Sequence, residues 1–149
     1  MKEMKIRPIE DGTVIDHIPR GQALNVLRVL GVDSSTRDVV SVAMNVPSDA
    51  MGRKDIVKVE DREIGSKEAD IIALIAPEAT VNVVRDFDVS EKYEVSMPEE
   101  VRGVLDCPNP NCVTNTREPV ETVFDVRDGE IRCEYCGTVL SDEVAQHLG

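Results

Sequence analysis

Apolar and polar residues in the first 95 positions alternate with two periods, the two-residue period of β-strands and the 3.6-residue period of helices. Segments rich in β-branched residues predict five strands, at Thr13–Ile18, Val39–Val46, Asp55–Glu60, Thr80–Val84 and Phe87–Val95. Pro19 and Pro47 follow the first two segments, and we expect each to end its strand because proline cannot donate a ladder hydrogen bond. The polar stretch Ser48–Lys54 is then a loop between the second and third strands.

Two helices are predicted between these strands. Apolar residues recur at helical spacing from Gly21 to Leu30. A second helix is expected to begin with Ser66 as its N-cap and to end before Pro77. The order β-α-β-β-α-β, followed by one extra strand, predicts an α+β fold: a ferredoxin-like antiparallel sheet with two helices on one face. The other face carries no helix, so it is either polar or in contact with a partner.

The pattern breaks at Ser96–Glu100, where Pro98 stiffens the chain. We expect this segment to link two domains, residues 1–95 and residues 101–149. The second domain is predicted to be small and all-β, with short strands at Val101–Leu105, Val120–Val126 and Glu130–Arg132.

Two further elements are expected in the second domain, a hairpin turn at Asp128–Gly129 and a terminal helix capped by Ser141. The domain has few apolar side chains, and domains of this size usually need a metal ion or crosslinks to stay folded.

All four cysteines of the chain lie in this second domain, as Cys107, Cys112, Cys133 and Cys136. Four residues separate the first pair and two separate the second. Such spacing lets two sulfurs in one tight turn reach a common point, and two turns complete a tetrahedron. Four thiolates at ~2.3 Å suit zinc and leave no open position, which is typical of a structural ion. The sequence therefore predicts one structural zinc in a zinc-ribbon or rubredoxin-like domain.

Three other states of the cysteines are open at this point: a pair of disulfides, four unrelated thiols, and an iron ion in a rubredoxin-like site. Disulfides require an oxidising compartment. The charged N-terminus lacks the apolar segment of a signal peptide, and no apolar run approaches the ~20 residues that cross a bilayer. We therefore expect a cytoplasmic protein with no membrane partner. The scarcity of aromatic residues, with no Trp, gives iron little support.

The charge distribution limits the partners of the chain. The formal net charge is −12, and residues 96–149 carry 4 Lys and Arg against 11 Asp and Glu. Binding of phosphodiester backbones requires clustered basic residues. We therefore expect no DNA or RNA partner, and a zinc-ribbon module that binds nucleic acid or transcription proteins is the second hypothesis rather than the first.

The sequence offers little for catalysis. The two histidines, His17 and His147, fall in different predicted domains, and neither a nucleophile elbow nor a Walker loop is present. An enzyme of nucleotide metabolism is therefore only a third hypothesis.

Polar residues at alternate strand positions allow two interpretations. The first is an ordinary solvated sheet face. In the second, Lys58, Lys92 and His17 neutralise a polyphosphate while Asp16 accepts hydrogen bonds from ribose hydroxyls. Because Asp16 and His17 are adjacent in a predicted strand, we expect their side chains to point to opposite faces. The periodicity does not choose between the two interpretations.

Five blocks of sequence together resemble the regulatory chain of aspartate carbamoyltransferase: Gly12–Pro19, Asn45–Ser48, Met51–Asp55, Ala76–Asn82 and Cys107–Cys112. The resemblance implies a non-catalytic regulatory subunit in pyrimidine biosynthesis. It also implies that the N-terminal domain binds CTP or ATP, with UTP a third candidate effector, and pairs with a second regulatory chain. The zinc domain would dock on a catalytic chain, and nucleotide binding would shift the complex between tense and relaxed states.

The resemblance also implies an effector site. It assigns Asp16 to the ribose, His17 to the phosphates and Lys58 to the base and ribose. Lys92 would hold a phosphate, with Lys54 as a phosphate neighbour.

Further residues implied in the same pocket are Asn82, Val84, Val89 and, through its backbone at the base, Ile9. The chain departs from the family pattern at Pro8 and at Phe87. The four cysteines match the zinc ligands of the family.

Overall fold

The computed structural model describes residues 9–116, 120–128, 130–140 and 144–148. These residues form two compact units, and the division falls between Ser96 and Met97. Three residues that entered the sequence analysis, Pro8, Gly129 and Ser141, lie outside the described ranges. Within those ranges, no helix combines the length and apolar character that crossing a bilayer requires.

The first unit contains five strands and two helices. In chain order they are β1 (Gly12–Pro19), α1 (Ala23–Val29), β2 (Val40–Ser48), β3 (Gly52–Glu60), α2 (Ser66–Ile75), β4 (Thr80–Arg85) and β5 (Asp88–Glu94). The strands form one antiparallel sheet in the order β2-β3-β1-β4-β5. The first four strands therefore have the order that the split βαβ pattern predicts, with β3 and β1 in the centre and β2 and β4 outside them. β5 extends the sheet beyond β4.

Both helices pack on the same face of this sheet. Ile15, Val57 and Val81 are fully buried on the three central strands, and they form one core with Val26 of α1 and Ile72 of α2. In β3, in β4 and in β1 up to Ile15, the odd-numbered residues face the helices, so their even-numbered neighbours lie on the opposite face. The predicted α+β fold class and the placement of the helices are confirmed.

Two predicted boundaries in this unit are wrong. β2 continues through Pro47 to Ser48 and β3 begins at Gly52, so the predicted loop Ser48–Lys54 is mostly strand. β2 is an edge strand, where a proline is tolerated because its missing N–H can face solvent instead of a neighbouring strand. The N-cap of α2 is Gly65 rather than Ser66, and the Gly65 N–H donates to Glu68 Oε1 at 3.2 Å.

The second unit is a three-stranded antiparallel sheet with two short 3₁₀ helices. The strands are β6 (Glu100–Arg102), β7 (Val123–Arg127) and β8 (Glu130–Cys133), and the 3₁₀ helices span Val113–Asn115 and Val144–His147. Its apolar core is small, with Leu105 and Phe124 as its fully buried members.

The strands of this unit differ in length from the prediction. β6 ends at Arg102 because Gly103 turns the chain at a φ of 68°, and Leu105 forms only an isolated bridge with Leu148. Glu100 was predicted to lie in the linker, but it is the first residue of β6. In place of the predicted terminal helix, the described residues show a single 3₁₀ turn at Val144–His147.

Candidate functional site

A polar row crosses the face of the first sheet that carries no helix. In this row Lys58 of β3 is opposite Val14 of β1, Val14 is opposite Asn82 of β4, and Asn82 is opposite Lys92 of β5. Residues directly opposite one another on neighbouring strands share a face. The register therefore brings together Lys58, Asn82 and Lys92, three candidate effector residues from three different strands.

The members of this row differ in exposure. Lys58 is buried, with an exposed fraction of 2%, whereas Lys92 is exposed on β5. Asn82 Nδ2 donates to the backbone oxygen of Val14 at 3.3 Å, which fixes the amide plane across β1. The row thus contains a buried lysine at position 58, a hydrogen-bonded amide at position 82 and an exposed lysine at position 92.

Asp16 and His17 lie in a β-bulge of β1. The pairing of β1 with β3 shifts between Ile15 and Ile18, and His17 has a φ of 59°. Asp16 Oδ1 accepts the His17 backbone N–H at 2.6 Å. His17 Nδ1 lies 3.1 Å from Thr80 Oγ1, and Thr80 is the residue opposite Asp16 on β4.

The expectation that Asp16 and His17 point to opposite faces is therefore wrong. A bulge inserts one residue into a strand and re-aims its side chain, so simple alternation fails there. Lys54 joins the same cluster, since its Nζ lies 2.9 Å from Asp16 Oδ1. Asp16, His17 and Lys54 consequently lie together on the face that carries no helix.

The remaining candidates lie at the other end of this face. Val84 is opposite both Gly12 on β1 and Val89 on β5. Ile9 is buried, and its Cδ1 would come within 3.0 Å of any Cβ at Gly12. The nine candidate effector residues therefore divide into an apolar end of Ile9, Val84 and Val89 and a remainder of six polar or charged residues.

Sequence reasoning missed two residues of this face, Val14 and Thr80. Val14 occupies the centre of the polar row, and Thr80 holds the His17 ring. Their positions relative to the assigned residues follow from strand register, which depends on contacts between segments far apart in the chain.

The four cysteines of the second unit form one cluster. Their Sγ atoms all lie within 4.8 Å of one another. The Cys107–Cys136 and Cys112–Cys133 Sγ separations are 3.5 and 3.7 Å, far longer than the about 2.05 Å of a disulfide. Sulfurs at ~2.3 Å from a tetrahedral ion are ~3.8 Å apart. The cluster therefore fits four thiolates around one ion and does not fit two disulfides.

Local hydrogen bonds shape the two cysteine turns. Asn115 Nδ2 donates to the backbone oxygens of Cys107 and Asn109 at 3.0 and 2.7 Å, which closes the first turn. In the second turn the Gly137 N–H donates to the Cys133 oxygen at 2.9 Å, with Gly137 at a φ of 79°. The left-handed conformation favours glycine there.

Comparisons with known proteins assign both units. Residues 4–96 match the family model described as aspartate carbamoyltransferase regulatory chain, allosteric domain, and residues 99–146 match the model for the metal binding domain of the same chain. The chain belongs to the aspartate carbamoyltransferase regulatory-chain family. This family is a non-catalytic regulatory subunit, so the chain is not an enzyme by itself.

Curated relatives support the same assignment over the whole length of the chain. The aspartate carbamoyltransferase regulatory chain of Natronomonas pharaonis is 56% identical over 146 residues, covering 98% of this chain and 95% of the relative. Those of Haloarcula marismortui and Methanoculleus marisnigri are each 52% identical, covering 99% and 96% of this chain and 95% and 92% of the relatives. The resemblance inferred from five sequence blocks is confirmed.

The two candidate sites fall in different domains of this regulatory chain. The polar face and its apolar end lie within the allosteric-domain match, and all four cysteines lie within the metal-binding match. An effector and a metal ion would therefore be bound by separate domains.

In the metal-binding domain, two of the four cysteine thiols have raised pKa values and the other two have lowered ones. Burial raises the pKa of Cys107 to about 12 and also raises the pKa of Cys133. The Thr138 hydroxyl, 3.0 Å away, lowers the pKa of Cys136 to about 6, and the Thr114 hydroxyl lowers the pKa of Cys112. Each close sulfur pair therefore combines a proton-holding thiol with a more acidic one.

This division predicts how metal affinity depends on pH. At pH 7 to 8, Cys107 and Cys133 hold protons that must leave when they bind an ion, so lower pH weakens binding. Release of at least these two protons makes the affinity rise at least about 100-fold per pH unit. Competition with a chromophoric chelator at pH 6.5, 7.0 and 7.5 measures this slope, and an affinity independent of pH would contradict the prediction.

Proposed function

We propose that this chain binds nucleotide effectors on the face of its first sheet that carries no helix and transmits their presence to the catalytic chains of aspartate carbamoyltransferase. The observation that carries the proposal is the convergence of Lys58, Asn82 and Lys92 in one row with Val14. Three polar groups from β3, β4 and β5 meet there, and an exposed fraction of 2% is unusual for a lysine on an ordinary solvated face.

The chemistry of the face suits a nucleoside triphosphate such as CTP, ATP or UTP. Lys92, His17 and Lys54 provide cationic or hydrogen-bonding groups for phosphate oxygens. Asp16 is an acceptor suited to ribose hydroxyls, and the apolar end near Ile9 suits a base. We place the ribose beside Asp16 and Lys58, the phosphates towards Lys92 and His17, and the base towards Val84, Val89 and the Ile9 backbone.

We further propose that the ion in the second unit is zinc. Four thiolates are the usual donor set for structural zinc, and the two short Sγ–Sγ separations are close to those of a tetrahedral site. Among the residues that the structure describes, only these four cysteines form the cluster, which fits a structural role. The ion would supply the fixed core of the domain that docks on a catalytic chain, and it would take no part in a reaction. Thiols that stay reduced fit a cytoplasmic location.

In this proposal, pairs of regulatory chains bridge catalytic trimers through the second unit. That unit carries 4 Lys and Arg against 11 Asp and Glu in residues 96–149, so a complementary surface on the catalytic chain would be basic. Nucleotide binding to the first unit would then shift the complex between its tense and relaxed states. A coupling of ~1–3 kcal/mol suffices to change active-site affinity about 5–150-fold.

The structure gives no support to nucleic-acid binding by the second unit. The arginines that the structure describes there are each paired with a carboxylate two residues away on the same strand. The pairs are Arg102–Glu100 at 2.7 Å, Arg127–Asp125 at 2.9 Å and Arg132–Glu130 at 3.5 Å. Arginines neutralised in this way do not form the clustered basic surface that a phosphate backbone requires.

Calorimetric titration of the full-length chain with CTP and with ATP tests the effector site. We expect wild-type binding to at least one of them and an affinity about tenfold lower in Lys92→Ala, because one charge-assisted phosphate contact is worth about 1.5–3 kcal/mol. The matched control is Lys67→Ala, an equally exposed lysine on α2 at the opposite face, which should bind as wild type. An absence of binding to both nucleotides, or equal affinity in wild type and Lys92→Ala, would count against the assigned pocket.

A further inference from the structure

Asp55 is a buried carboxylate to which the proposed function assigns no role. It lies on β3 directly after Lys54, and its exposed fraction is 0%. Its Oδ2 accepts the backbone N–H groups of Gly21 at 2.8 Å and Ala23 at 3.0 Å, and its Oδ1 accepts the N–H of Asn45 at 2.8 Å. A buried carboxylate is costly unless its oxygens are hydrogen-bonded. These three backbone donors satisfy that requirement.

The three N–H donors come from two other segments of the first unit. Gly21 and Ala23 belong to the turn from β1 into α1, a short helix whose N-cap residue makes no side-chain capping bond. Asn45 lies in a bulge of β2, where the register with β3 shifts between Ala43 and Val46, and it has a φ of 59°. A bulge leaves a backbone group outside the ladder. The Asp55 carboxylate therefore ties this bulge to the turn between β1 and α1.

Lys54 lies between two irregular strands as a result. On one side it is opposite Val46, the first residue of β2 after its bulge. On the other side it is opposite Pro19, which follows the bulge of β1 that contains Asp16 and His17. The backbone position of Lys54, and with it the 2.9 Å ion pair to Asp16, depends on the register of both neighbouring strands.

We infer that Asp55 is a positioning residue for the phosphate end of the effector site. By fixing the β2 bulge and the β1–α1 turn, it holds Lys54 where Lys54 pairs with Asp16 beside His17. The inference rests on the proposed effector site and adds to it a residue that touches no nucleotide. Its effect should fall on contacts to the phosphates and leave base recognition at Ile9, Val84 and Val89 unchanged.

The variant Asp55→Asn separates the hydrogen bonds to the start of α1 from the hydrogen bond to the β2 bulge. An asparagine side chain has one acceptor oxygen, and orienting it towards Gly21 and Ala23 keeps two hydrogen bonds. Its NH₂ group then faces the N–H of Asn45, so the β2 bulge loses its acceptor while the start of α1 keeps one. Hydrogen–deuterium exchange of the full-length chain should show faster exchange of the Asn45 amide with the Ala23 amide still protected.

The functional readout is the ratio of CTP affinity to CMP affinity, with ATP and AMP as a second pair. We expect Asp55→Asn to weaken CTP binding about tenfold and CMP binding less than about twofold, since one phosphate contact is misplaced. The control is Thr13→Val, which removes another hydrogen bond of a buried side chain, from Thr13 Oγ1 to the Arg62 oxygen at 2.6 Å, near the start of β1 and before its bulge. It should leave the ratio unchanged.

The outcomes separate this inference from the proposal beneath it. If wild type binds neither nucleotide, the effector site itself is wrong and the inference fails with it. If wild type binds and Asp55→Asn shows an unchanged ratio, or loses CTP and CMP affinity equally, only the positioning role is overturned. If Asp55→Asn does not fold, Asn45→Ala loosens the same bulge, because alanine adopts positive φ less readily than asparagine. It should lower the ratio in the same direction, and an unchanged ratio would overturn the inference.

Discussion

Removal of the metal ion is expected to unfold the second unit and leave the first unit folded. The apolar core of the second unit is small, with Leu105 and Phe124 as its largest fully buried side chains, and the four clustered cysteines come from two separate turns. Structural zinc contributes about 10–16 kcal/mol to small domains of this kind, more than the ~5–15 kcal/mol that a domain retains in total. The first unit has its own core and needs no ion.

Amide exchange in the full-length chain measures this outcome residue by residue. After treatment with a strong chelator, the Phe124 and Ile131 amides should lose protection while those of Ile15 and Val57 keep it. Cys112→Ser should have the same effect without chelator, and elemental analysis should find one zinc per wild-type chain and none in the variant. Tyr135→Ala alters an exposed, non-ligand residue of the second cysteine turn and should keep both zinc and structure. Retained protection of Phe124 in the metal-free chain would contradict the assigned role of the ion.

The cysteine cluster could be predicted from the sequence because its geometry is largely local. Each pair lies in one tight turn, and only the meeting of the two turns is a tertiary fact. The fold class could also be predicted, because burial of one sheet face imposes period two on strands and period 3.6 on helices. Both helices were expected on one face because of the element order β-α-β-β-α-β, and the core of Val26, Ile72 and Val57 has that arrangement.

The details that could not be predicted depend on contacts between distant segments. Pro47 indicated the end of a strand, but β2 is an edge strand, and edge position depends on the whole sheet order. The alternation rule separated Asp16 from His17, but a bulge opposite β3 brings them together. No period in the sequence identifies Asp55, because its donors lie 10 to 34 residues away. Prediction of the proposed effector face therefore requires the register of four strands, whereas its residue types could be read from the sequence.

Gly12→Ala is expected to destabilise the first unit more than any other single glycine change there. Gly12 has a φ of 143°, and a Cβ at this position would overlap the backbone oxygen of Val59 and lie 2.9 Å from Cα of Glu60. Backbone atoms of a paired strand cannot rotate away as a side chain can, so β1 and β3 must separate at the end where Ile9 packs. Backbone strain and overpacking together should cost at least about 3 kcal/mol.

A glycine elsewhere in the same sheet separates these two causes. Gly52, the first residue of β3, also has a positive φ, of 75°, but nothing lies within 4 Å of its added Cβ. Gly52→Ala should therefore cost only the ~1–2 kcal/mol of a left-handed residue, whereas Gly12→Ala should lower the melting temperature of the first unit by about 12–24 °C. Calorimetry of the zinc-loaded chain measures both. Equal losses would show that backbone conformation alone governs Gly12, and that the close approach of β3 and Ile9 to this residue contributes nothing to the stability of the effector domain.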